Sequence, residues 1–104
     1  MARFDVYRNS NRKSRDRVPL LLDVQASLLD DLATRLVVPL ILAADFGPAI
    51  EKLNPVVRLG NRNYVMATAE MAAVMRKSLG DKVGSLEVQS AEILAAVDFL
   101  ISGF

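Results

Sequence analysis

The side chains that most often do chemistry near neutral pH are missing from this chain. It has no histidine and no cysteine. That leaves no thiolate nucleophile, no zinc–thiolate cluster, no disulfide and no imidazole base. Its five glycines are scattered, so no Gly-rich turn stands ready to cradle a phosphate. Asp30-Asp31 places two carboxylates side by side, but a hard-cation site needs several converging oxygens. Serine and threonine hydroxyls need a neighbouring base to act as nucleophiles. The residues therefore offer no catalytic group, no metal site and no cofactor site. The expectation is a protein that binds other macromolecules and is not an enzyme. Arginine and aspartate acting on RNA would need no histidine, yet nothing in the sequence selects such a pair.

Two segments could make contacts instead. The first is Arg8 to Arg17. Residues 1–17 carry six Lys/Arg against two Asp/Glu, a net of +4, while residues 18–104 carry seven against ten, a net of −3. Arg8, Arg12, Lys13, Arg15 and Arg17 form either an electrostatic patch for an acidic peptide or phosphate backbone, or a solvated loop that aids solubility. The second is Ile101-Ser102-Gly103-Phe104. Chain termini usually fray. A buried aromatic side chain is nonetheless worth about 1.5–3 kcal/mol, which makes Phe104 a candidate partner contact.

These segments need a frame, and 104 residues suit one domain. The chain is 52% hydrophobic, with a mean hydropathy of +0.26, which is more apolar than so small a core requires. Some apolar surface should stay outside, and a homodimer is the simplest cover. Met1-Ala2-Arg3-Phe4-Asp5 has no signal-like apolar run, and Leu36 to Ala44 is too short to span a bilayer. A cytoplasmic protein without membrane contact is expected.

Arg3 to Tyr7 alternates polar and apolar, as a half-buried strand does. Arg8 to Arg17 is a loop and Val18 to Val24 a strand. In Gln25 to Leu36, Leu28, Leu32 and Leu36 recur at helical spacing, so propensity predicts a helix. Val37 to Leu42 is β-branched and apolar, with Pro39 marking an edge or bulge. Asp45 to Asn54 is a loop. Pro55 to Leu59 and Asn63 to Met66 form a hairpin about Gly60-Asn61. Residues 67–79, rich in alanine and methionine, read as helical. Leu86, Ile93, Leu94, Val97, Leu100 and Ile101 share one helical stripe, with Ser85 as N-cap and Gly103 just past the last turn.

The run Leu22-Asp23-Val24-Gln25-Ala26-Ser27-Leu28-Leu29-Asp30, followed by Thr34-Arg35-Leu36-Val37-Val38-Pro39-Leu40, resembles the CcdB family of bacterial toxins. Phe4-x-Val6-Tyr7, Leu53-Asn54-Pro55-Val56-Val57-x-Leu59-Gly60, Met66 through Met71-Ala72, and Ala95 to Phe104 resemble it too, so the likeness covers nearly the whole chain. It implies a mainly β, SH3-like barrel with a C-terminal α-helix, in which 25–36 and 67–79 are strands and turns. It also implies a homodimer, a CcdA-like antitoxin whose disordered half wraps the toxin, and poisoning of DNA gyrase through the gyrase A protein. DNA would be met only through the antitoxin or gyrase.

Carried over by position, the gyrase-facing residues are Ala26, Leu28, Leu29, Asp98, Ile101, Ser102, Gly103 and Phe104. The basic loop, Arg8, Arg12, Lys13, Arg15 and Arg17, would meet the acidic antitoxin. One departure matters: Ser102 stands where the best-known members have a tryptophan that stacks on gyrase. Phe104, where isoleucine is usual, could replace part of that aromatic area. Two alternatives share the barrel: a ribonuclease resembling the MazF and Kid toxins, and an inactive toxin serving only as an antitoxin-binding co-repressor.

Overall fold

A computed structural model describes residues 1–103. Seven strands form one antiparallel sheet: β1 (Asp5–Asn9), β2 (Leu20–Asp23), β3 (Thr34–Leu42), β4 (Val56–Leu59), β5 (Arg62–Met66), β6 (Ala72–Met75) and β7 (Leu79–Ser85). Their order is β4-β5-β3-β2-β1-β7, with β6 paired to β3 off this path. One helix, α1 (Ser90–Ser102), follows. The mainly β fold with a C-terminal helix is the one the resemblance implied.

The long strand β3 organises the sheet. Its first half, Thr34 to Val37, pairs with β6. Its second half, Leu40 to Leu42, pairs with β5. Pro39 lies between, and its carbonyl accepts from Ala67 N at 2.9 Å on that same side. The N–H that proline lacks would also point there, into the gap between ladders, so no ladder bond is lost. Pro39 therefore sits in a central strand in regular register with β2, not at the edge or bulge expected for it.

Propensity fails at the two helical expectations of the sequence. Gln25 to Leu36 forms a 3₁₀ turn at Ser27–Leu29 and the start of β3. Residues 67–79 hold two short 3₁₀ turns, β6 and the start of β7. Ala72 to Met75 is extended because its backbone completes the hydrogen bonding of β3, and tertiary pairing outweighs alanine's preference. At the other end, Ser85 ends β7 and does not cap α1, which begins at Ser90 after a 3₁₀ turn. The sequence stripe began four residues too early for α-helix.

The core is formed by Val6, Leu20, Leu22, Val38, Leu40, Val57, Met66, Leu86 and Ile93 among others. Register shifts in the β1–β7 ladder sharpen its twist. The curl brings β7 against β4: a Cβ placed on Gly84 would lie 2.8 Å from Leu59 Cδ1. The remaining edge of β4 is covered by a side chain. Gln89 Nε2 donates to Val56 O and Arg58 N donates to Gln89 Oε1, both at 3.3 Å.

Candidate functional site

The Asp23-Val24-Gln25 run explains itself once its bonds are followed. Asp23 and Arg35 have fully buried side chains. Arg35 Nε donates to Asp23 Oδ2 at 2.8 Å, and Nη2 lies 2.6 Å from the same oxygen. The other oxygen, Oδ1, accepts from Gln25 N at 2.9 Å. Gln25 Oε1 accepts from Leu36 N, and its Nε2 donates to Leu29 O at 2.8 Å. Arg35 Nη1 also reaches Asp30 Oδ1 at 3.0 Å. Burial pushes the Asp23 carboxyl up, while the Gln25 N–H and Arg35 pull it back.

This bracket pins both ends of the Ser27–Leu29 turn, with a consequence for exposure. Leu28 is 94% exposed and Leu29 48% exposed, while Ala26 is half-buried. Two leucines are thus held in water by a rigid buried network.

The end of α1 behaves similarly. Ile93 and Ala96 are buried, and Leu94 and Val97 pack against the core. The stripe then leaves the core, because Ile101 is 73% exposed. Asp98, Ser102 and Gly103 are not buried either. Gly103 adopts φ +75° and its N–H donates to Phe99 O at 2.8 Å, closing the helix in the left-handed manner the sequence suggested. Phe104 lies outside the described residues. Among the described residues, no hydrogen bond or ion pair joins the Ser27–Leu29 turn to the end of α1.

The basic loop is a built turn. Asn9 Nδ2 donates to Ser14 Oγ at 3.0 Å and Val18 O at 2.9 Å, while Asn11 Oδ1 accepts from Lys13 N at 2.9 Å. Arg8, Arg12, Lys13, Arg15 and Arg17 all project into solvent. Beside the loop runs a groove of about 600 Å³ lined by Asn9, Ser10, Ser14, Arg17, Glu70 and Ser78, with Leu21 and Pro39 on its floor. Of the five cations, only Arg17 lines it. Its Nη1 and Nη2 donate to Glu70 Oε1 and Oε2 at 2.9 and 3.0 Å. That fork holds the Glu70 carboxyl below the usual range, so it stays ionised.

Sequence reasoning missed Glu70, because it is 53 residues from Arg17 and lay in a segment read as helix. The hydrogen-bonding residues Asn9, Asn11 and Ser14 were a usable signal. Their spacing is that of side chains closing local turns.

A family model described as "CcdB protein" matches residues 3–103. The chain belongs to the CcdB family. Many solved structures share the fold of this CcdB chain, two of them at 16% and 18% identity. One is described as an "Endoribonuclease in complex with its cognate antitoxin from Mycobacterial species". It has a TM-score of 0.77 and 16% identity, over 97% of this chain and 94% of that one. The other is an "Endoribonuclease from Mycobacterial species", with a TM-score of 0.69 and 18% identity, over 97% and 90%. At these identities the likeness to the two structures is one of fold, and the antitoxin belongs to the first of them.

The expectation of a non-enzyme is corrected by these neighbours. The missing histidine suggests a non-enzyme, but both neighbours of this fold are named as endoribonucleases. A CcdB-like fold is compatible with catalysis, and a carboxylate beside a guanidinium can supply base and charge stabilisation without imidazole. Among the described residues, no helix is long and apolar enough to cross a membrane, and no group of three or more acidic residues is placed to hold a metal.

Proposed function

We propose that this toxin acts on the A protein of DNA gyrase through the exposed end of α1 and the Ser27–Leu29 turn, and is neutralised by an acidic antitoxin at the basic loop. The observation that carries this reading is the apolar stripe of α1 running out of the core to Ile101, 73% exposed. A protein gains nothing in folding from a large apolar side chain left in water, whereas a partner that buries it does. Membership of the CcdB family supports the choice of target. In a homodimer the tail and turn would each be presented twice, matching a two-fold symmetric partner. Leu32 and Met75, outside that turn, supply exposed apolar surface for pairing of two copies. The test is to incubate purified protein with gyrase and supercoiled DNA and measure trapped cleavage complexes. Failure of the intact chain to trap any would remove gyrase as the target.

A second reading, RNA cleavage, rests on the Arg17–Glu70 pair in its groove. On this reading Glu70 takes the proton of a ribose 2′-OH. The 2′-oxygen then attacks the adjacent phosphorus, and the bond to the 5′-oxygen breaks, leaving a 2′,3′-cyclic phosphate. The departing oxygen takes a proton from water, and Arg17 stabilises the charge on phosphorus. The exposed arginines around the groove would attract the RNA backbone. Incubation with total RNA separates the two readings: cleavage abolished by Glu70→Gln supports this one, and intact RNA removes it.

A further inference from the structure

The helix that ends in the exposed tail shows solvent a second feature on another face. Ala95 and Phe99, one turn apart on α1, meet Pro55 to form the floor of a groove of about 550 Å³. Glu51, Lys52, Asn54 and Glu92 form its walls. The wall opposite α1 is a rigid turn. Asn54 N donates to Ile50 O at 2.9 Å, Ile50 N donates to Asn54 Oδ1 at 2.9 Å, and Asn54 Nδ2 donates to Met66 O at 3.0 Å. Lys52 takes a left-handed backbone, φ +70°, unusual for a residue with a side chain. Ile50 and Val56, which flank the lining in sequence, are both exposed.

The charge on this groove is opposite to that of the basic loop. Glu51 from the turn and Glu92 from α1 both line it, and neither has an ion-pair partner among the described residues. Lys52 is the single cation in the lining. An acidic antitoxin segment, a phosphate backbone and an anionic lipid surface are all disfavoured here. The chain's own cations from Arg8 to Arg17 are no match either, since that stretch contains no large apolar side chain. The floor asks for an apolar anchor and the walls ask for positive charge.

We propose that this groove is a docking site for a cationic amphipathic segment of a partner protein. A leucine or aromatic side chain sits on Phe99 and Ala95, with lysine or arginine on either side facing Glu51 and Glu92. The groove lies apart from the Arg17–Glu70 groove and on the side of α1 away from Ile101, so it stands whichever target reading holds.

The experiment uses the full chain, isotopically labelled, titrated with two synthetic peptides that share one apolar anchor. One places lysines around it and the other glutamates. The lysine peptide should bind saturably, with the largest resonance shifts at Ala95, Phe99 and the 50–56 turn. The glutamate peptide should not saturate. Glu51→Lys with Glu92→Lys should weaken the lysine peptide at least tenfold. Ala95→Trp, which fills the floor without touching charge, should weaken it similarly. Charge reversal at Arg12 and Arg15 should leave it unchanged. Equal affinity in the double Glu variant, shifts centred elsewhere, or no saturation at millimolar peptide would each overturn the proposal. Concentration-dependent self-association abolished by the double Glu variant would make a second copy the occupant, and would overturn it too.

Discussion

Arg35 meets Asp23 inside the sheet with both side chains fully buried, Nε at 2.8 Å and Nη2 at 2.6 Å from one carboxylate oxygen. Removing one member of such a pair strands a charge away from water. Arg35→Ala should cost about 3–5 kcal/mol, read as a lower midpoint in urea unfolding. Replacing both by apolar residues of similar volume should recover much of this. In that double variant, amide exchange in the Ser27–Leu29 turn should still quicken, because Gln25 N–H has lost its acceptor. An unchanged midpoint in Arg35→Ala would show that the pair contributes nothing.

Closure of the sheet depends on Gly84 leaving room for Leu59. Gly84→Ala puts a methyl group 2.8 Å from Leu59 Cδ1, and overpacking of this kind costs about 1–3 kcal/mol. Leu59→Val should relieve part of that loss when the two changes are combined. Thermal unfolding of the four chains forms the cycle, and strictly additive effects would refute the contact.

Tyr7 donates its hydroxyl to Asp5 at 3.3 Å, and burial together with the Asp5 charge pushes its phenol up to about 12. The unfolded phenol ionises near the ordinary value of 10. The folded state therefore keeps a proton that the unfolded chain loses. This contribution is fully present below pH 10 and is lost between pH 10 and 12. Tyr7→Phe should flatten that alkaline decline, measured by urea unfolding at intervals from about pH 8 to 12. Parallel curves for the two chains would contradict the assignment.

Toxicity, under the gyrase reading, should depend on the end of α1 and not on the stability of the fold. Ile101 is largely in water, so Ile101→Asp should change the unfolding free energy by less than about 0.5 kcal/mol. Growth inhibition and trapped cleavage complexes should fall sharply, as they should on deleting residues 103–104. A fully toxic Ile101→Asp chain would move the target contact elsewhere.

The Arg17–Glu70 fork is solvent-exposed on both sides, so it adds little to stability. Glu70→Gln should unfold almost as the parent does. Reversing Arg12 and Arg15 should slow antitoxin association and reduce its dependence on salt. An association rate indifferent to a tenfold change in salt would leave the loop as a solvated surface.

Much of the frame was legible from local pattern. Alternation at the first strand, the apolar run of β2, the Gly60-Asn61 hairpin and the glycine after α1 all report local chemistry. What escaped was decided by distant pairing. Ala72 to Met75 has no alternation because most of β6 faces water, and only its partner Thr34 to Val37 makes it a strand. The Asp23 bracket was visible as a family signature, but its purpose was not. Nothing in the sequence says that Gln25 ties Leu29 to Leu36. Arg17 was named for its charge, whereas its place on a groove depends on Glu70, brought near by the sheet.

Gln89 has a consequence for the behaviour of many copies together. The outer rim of β4 offers a carbonyl and an amide two residues apart, the pattern onto which another chain's strand can zip. A glutamine side chain carries the same acceptor and donor as a peptide group and fills that rim from within. The segment leading into α1 thus acts as a plug against polymerisation, protecting a protein that already leaves several large apolar side chains uncovered.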